Sequence, residues 1–183
     1  MRAGTLASVL LFGLLSTTTA HAGDEASETE SVTEFGPVKV GAEVPTFAGY
    51  DAKDAFVRSK TLLAEAKSGM IISFFATWCG PCKQGMPVIE RNVGEREGWK
   101  AVFIDLGEEP QKVKPFLDEI NVQGTVVYDK NGMIGKRYGV GNSLPKTFIV
   151  AADGTVRTIF VTEGKDFDEK LKAAMDAVAP KPG

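Results

Sequence analysis

The segment FFATWCGPCKQGMP, Phe74 to Pro87, carries the only two cysteines of the 183-residue chain, Cys79 and Cys82, where one hydrophobic period gives way to another. Upstream, the nearly continuous apolar run MIISFFA (70–76) predicts a strand covered on both faces at the centre of a sheet. Downstream, Met86, Ile89 and Val93 recur at helical spacing. Pro81 suits a first turn, Pro87 should kink the helix, and Gly98 suits its end. A second apolar run, KAVFIDL (100–106), then completes a strand–helix–strand unit, which implies a parallel pair and a right-handed crossover.

The remaining signals extend this pattern in both directions. On the N-terminal side, VKVGAEVPTFAGYDA (38–52) reads as an extended opening segment and KTLLAEA (60–66) as a short helix. On the C-terminal side come an amphipathic helix over 111–120, a short strand TVVYD (125–129) and a short helix over 134–138. Two β-rich runs flank Asp153-Gly154, a hairpin turn, and DFDEKLKAAMDA (166–177) reads as a capped closing helix. No internal repeat is present. The expected fold class is α/β, a central mixed sheet flanked by helices on both faces.

The N-terminus reads as a targeting segment. Arg2 precedes the apolar run LASVLLFGLL (6–15), too short for a stable membrane anchor, and the chain then passes through Ala20-His21-Ala22. This predicts a signal peptide over 1–22, cleaved after Ala22, and an exported, soluble product. Residues 23–36, with five acids and no base, read as a flexible acidic leader, and 37–180 as a single domain. Cleavage would remove Arg2 and the only histidine, His21, taking the net charge from −3 to −4. A chain without imidazole has no histidine for a triad or a zinc site. Its acidity is a poor match for nucleic acid phosphates.

Three roles compete for a cysteine pair at this spacing: a structural staple, half of a metal site, or a redox couple. A bridge over so few residues removes only about 2 kcal/mol of chain entropy, which argues against a staple. Zinc needs two further soft ligands, and the processed chain has none, so no metal or cofactor is expected. The redox reading fits the local structure. Cys79 falls where a strand turns into a helix, near unpaired N–H groups and the positive end of the helix dipole, so a thiolate is favoured there. Lowering a thiol from about 8.5 to about 7 takes roughly 2 kcal/mol, within what a helix terminus supplies; a drop to about 3.5 would need a charge that nothing in the motif provides. Cys82, three positions on, shares a helix face with Cys79 and can resolve a mixed disulfide.

The segment resembles the active-site stretch of the thioredoxin superfamily. With VGAEVPTF at the start, SLPKTFIVAADG downstream and a final helix, the resemblance over about 40–178 is to the exported TlpA-like (ResA-like) thiol-disulfide oxidoreductases, and so implies a thioredoxin-like fold. It implies that Cys79 is an exposed nucleophile, Cys82 a buried resolving thiol and Pro145 a cis proline facing them. Read from the residues alone, Pro145 would only open a strand. A cis bond there would free the Leu144 backbone to pair with an extended substrate. Trp78 is either a flat contact surface beside the sulfurs or a half-buried packing residue. Trp78, Gly80, Pro81, Leu144 and Pro145 are the expected substrate contacts, and Lys83 reads as solvated surface. The resemblance further implies a periplasmic location, protein disulfides as substrates, apocytochrome c among them, and a membrane thiol-disulfide electron donor. A monomer is expected.

Two positions depart from the family. Thioredoxins place a buried acid where this chain has Ser73, and ResA-like proteins often place a glutamate where it has Gly85. The proton of Cys82 would then pass to water, to the Cys79 thiolate, or to an acid such as Glu90 or Asp105. The leading expectation is a reductase, favoured by the Gly-Pro spacer. A disulfide oxidase or isomerase differs only in potential. A thiol peroxidase would want a threonine at Ala76, and a copper-binding module a histidine.

Overall fold

The computed structural model describes residues 34–35, 38–141 and 143–178. The expected signal peptide and residues 23–33 of the expected leader lie outside them. In chain order the elements are β1 (Glu34–Phe35), β2 (Val38–Lys39), β3 (Ala48–Tyr50), β4 (Phe56–Arg58), α1 (Ser59–Glu65), β5 (Gly69–Phe75), α2 (Gly80–Gly94) and β6 (Trp99–Asp105). They continue with α3 (Pro110–Ile120), β7 (Thr125–Tyr128), α4 (Met133–Tyr138), β8 (Lys146–Ala151), β9 (Val156–Phe160) and α5 (Phe167–Asp176).

Five strands form the central sheet in the order β7-β6-β5-β8-β9. β5 pairs in parallel with β6, and β6 with β7, through the crossover helices α2 and α3; β8 and β9 are antiparallel to their neighbours. β5 is the middle strand and all seven of its residues are buried, which explains its unbroken apolar run. Its alternate side chains feed two cores. Ile71 and Phe75 pack with α2, α3 and α5 on one face. Met70, Ile72 and Phe74 pack with α1 and α4 on the other, where Phe74, Phe148 and Phe47 surround the buried Tyr138 ring. A mixed sheet with helices on both faces is therefore the observed architecture.

Three features depart from the sequence reading. First, the opening segment is not simply extended. β3 and β4 form a hairpin whose turn is held by Asp51 Oδ1, which accepts from the N–H groups of Lys53 (2.9 Å) and Ala55 (2.8 Å). The signal was Asp51-Ala-Lys-Asp54, a local side-chain-to-backbone turn with Asp54 at φ +59°. Second, β1 falls within the segment read as leader, and Phe35 pairs with Val38. Third, the closing helix has no side-chain cap. Asp166 stands at its N-terminus, but its carboxylate pairs with Lys170 at 2.7 Å, leaving Asp168 and Glu169 in the first turn to complement the dipole.

Candidate active site

Phe75 ends β5, and after four intervening residues α2 begins at Gly80 with Pro81 in its first turn, where the missing N–H costs nothing. Cys79 is the N-cap, and its Sγ accepts from the Cys82 N–H at 3.2 Å. Cys79 and Cys82 form a disulfide with Cα atoms 5.3 Å apart. Both sulfurs therefore lie at the helix terminus, where unpaired N–H groups favour negative charge.

The surroundings are asymmetric. Trp78 is 68% exposed, and Gly80 and Pro81 are also exposed, so the residues next to the disulfide are open to solvent. Cys82 lies in the core beneath α2, with Met86 and Ile89 on the same buried face. Cys79 corrects one expectation: in the disulfide it is only 3% exposed, its sulfur being bonded to that of the fully buried Cys82. The Leu144–Pro145 bond is cis. Leu144, half-buried, packs against the cluster that contains both cysteines, while Pro145 immediately precedes β8 and is buried. Lys83 is solvent-exposed and pairs with Glu119 of α3.

The turn that carries Trp78 is clamped from the adjacent loop. The Thr77 N–H and Oγ1–H donate to the two carboxylate oxygens of Glu108 at 2.5 and 2.7 Å, and the Glu108 N–H donates to Asp105 Oδ2 at 2.9 Å. Asp105, the last residue of β6, is fully buried with its other oxygen unpartnered. Burial and the neighbouring Glu108 charge push its carboxyl up to about 7, against the pull of the Glu108 N–H. Glu90, the other acid considered from sequence, is taken up by the loop before β7, where it accepts from the N–H groups of Gln123 and Gly124 at 3.1 and 3.3 Å.

Sequence reading missed two acids, Glu108 and Glu163. Glu163, between β9 and α5, packs onto Gly85 of α2 and accepts from Thr147 Oγ1 at 2.7 Å; Thr147 also bonds Ser73 Oγ at 2.8 Å. Neither acid lies near the cysteines in sequence. The only available signal for Glu163 was the absence of a side chain at Gly85. Among the described residues, no group of three or more His, Cys, Asp or Glu side chains could hold a metal ion.

This fold, with a disulfide-bonded cysteine pair at a strand-to-helix turn next to the exposed Trp78, defines a thiol-disulfide oxidoreductase of the thioredoxin-like class. The chain belongs to the AhpC/TSA family, which matches residues 40–159. It is 27% identical over 150 residues to the thiol-disulfide oxidoreductase ResA of Geobacillus thermodenitrificans, covering 81% of this chain and 83% of the relative. To ResA of Bacillus thuringiensis subsp. konkukian it is 28% identical over 145 residues, 78% of this chain and 80% of that one. Among solved structures, a Chlorobium tepidum protein assigned as a thiol:disulfide interchange protein DsbE superposes with a TM-score of 0.69 at 26% identity, over 76% of this chain and 97% of the other.

Proposed function

We propose that the chain is an exported, periplasmic reductase of protein disulfides. The observation that carries this reading is the Cys79–Cys82 disulfide at the N-terminus of α2, with Trp78, Gly80 and Pro81 open to solvent beside it. In the reduced chain the Cys79 thiolate attacks one sulfur of a substrate disulfide, and the electron pair of the broken bond leaves with the other substrate sulfur. The Cys82 thiolate then attacks Cys79 Sγ, forms the intramolecular disulfide and displaces the second substrate sulfur as a thiolate. We assign Trp78 and the Gly80-Pro81 spacer to a flat substrate contact, and the Leu144 backbone, ahead of the cis Pro145, to pairing with an extended substrate segment.

Reductive work in an oxidising compartment needs a supply of electrons, which we assign to a membrane thiol-disulfide donor. Disulfide-bonded apocytochrome c is among the substrates proposed, with the chain acting as a monomer. Among the described residues no helix is long and apolar enough to cross a membrane. Peroxide chemistry fits the site less well: position 76 is a buried alanine, and the neighbouring Thr77 hydroxyl is held by Glu108.

The test is the reduction potential of the Cys79/Cys82 pair, equilibrated in thiol redox buffers. A midpoint at or below about −250 mV, in the range of thioredoxin, is the expected result. A midpoint above about −180 mV would make the disulfide form the reactive one and assign the chain to oxidation or isomerisation instead.

A further inference from the structure

Disulfide exchange moves a proton on and off Cys82 in each cycle, and the site described above names no group to carry it. Beneath α2, on the sheet face it shares with the cysteines, lies a carboxylate with no other evident task. Glu163 is only 5% exposed. Its Oε1 accepts from Thr147, and since Thr147 has a single proton and gives it to Glu163, Ser73 is the donor in the Ser73–Thr147 bond. Its Oε2 is buried without a partner. That oxygen is aimed at α2: a Cβ placed on Gly85 would fall 1.6 Å from it, so Glu163 fills the volume that a side chain at position 85 would occupy.

Cys82 and Gly85 are three residues apart and lie on the same buried face of α2. Helix positions at that spacing hold their Cβ atoms about 5–6 Å apart, a gap that one water or a small side-chain rotation bridges. The geometry points to Glu163 as the group that takes the proton from Cys82 when the mixed disulfide is resolved and returns it when the dithiol is regenerated. Asp105 also keeps one buried oxygen without a partner, but it stands at the end of β6 with its other oxygen on the Glu108 N–H, whereas the free oxygen of Glu163 is the one set against α2 at Gly85. The other titratable groups on the surrounding elements are engaged elsewhere. Glu90 holds Gln123 and Gly124, Asp168 holds Asn92 and Lys172, Lys83 pairs with Glu119, and Lys146 donates to the Gly139 carbonyl. Burial holds the Glu163 carboxyl up at about 7, with the Thr147 bond pulling the other way, which suits proton exchange near neutrality.

The step balances. With Cys79 bonded to a substrate sulfur, the Glu163 carboxylate accepts the Cys82 proton. The Cys82 thiolate forms the S–S bond to Cys79 as the Cys79–substrate bond breaks, and the substrate sulfur leaves with the electron pair. A dithiol reductant later attacks Cys79, Cys82 leaves as a thiolate, and the proton returns from Glu163.

The inference rests on the exchange chemistry of the dithiol and holds for either net direction. The test mixes the reduced chain with glutathione disulfide and follows, by rapid acid quench between pH 5 and 9, formation of the Cys79–glutathione adduct and its resolution by Cys82. In the unaltered chain the resolution rate rises through an inflection near pH 7. E163Q, which keeps an acceptor for Thr147, loses that inflection and resolves roughly a hundredfold more slowly at pH 7, with adduct formation unchanged. An E163G/G85E chain, with the acid moved onto the helix, regains the inflection. An E163Q profile that superimposes on that of the unaltered chain overturns the inference. So does an equal slowing of both steps at every pH, the mark of a merely structural role. An unaltered chain that forms no adduct, or never resolves it, overturns the dithiol reading as well.

Discussion

Thr147 is the single hydroxyl through which Ser73 of β5 and Glu163 are joined, and all three side chains are buried. Replacing it by the isosteric valine leaves Glu163 without its hydrogen-bond donor. A T147V chain should therefore lose about 1–3 kcal/mol of stability in denaturant unfolding, the usual cost of a stranded buried polar group. The Glu163 carboxyl should also titrate still higher, because the Thr147 bond is what lowers it, and a carboxyl-directed NMR titration would show this directly. An unchanged titration would mean that Thr147 does not hold the acid. Gly85 is the complementary residue: its missing side chain is a condition for Glu163 to lie where it does.

At the level of elements, the connection from β5 to α2 is held by the loop after β6. Glu108 receives both the N–H and the hydroxyl of Thr77, two charge-assisted bonds on the turn that presents Trp78 and Cys79. An E108A substitution should speed amide exchange at Thr77 and lower stability by about 1.5–3 kcal/mol. It should also bring the Asp105 carboxyl down from about 7, since the Glu108 charge is one of the causes holding it up. Slow amide exchange at Thr77 in E108A would show that the turn is ordered without the clamp. β5, β6, β8 and α2 were legible in the sequence because each carries one uninterrupted period. The β3–β4 hairpin was not, because its strands are three residues long and outside the central sheet. The uncapped start of α5 was missed because the sequence pattern shows which residue could cap, while the packed structure shows that Asp166 pairs with Lys170 instead.

Across the whole molecule, Asp105 and Glu163 give folding an unusual pH dependence. Each carboxyl ionises near its ordinary value, 3.8 or 4.5, in the unfolded chain but holds its proton to about 7 when folded. The folded state therefore binds more protons in that window. Their contribution is fully present below about pH 4 and is lost as the pH rises through 7. For Glu163 the linkage is on the order of 3 kcal/mol. Denaturant unfolding of the oxidised chain should show this fall between pH 4.5 and 7, and E163Q should remove the Glu163 share; an identical slope in both chains would refute the assignment. The sequence by itself determined the order and type of the main elements, the two cores fed by β5, and the cysteine pair at a helix N-terminus, since each follows from local period, turn chemistry or spacing. Only the tertiary structure decided that Glu163 lies on Gly85, that Glu108 grips Thr77, and that Cys79 is nearly closed to solvent in its disulfide form. These depend on which distant loops meet beneath and beside α2, and the interaction of groups brought together from separate elements leaves no periodic trace in the chain.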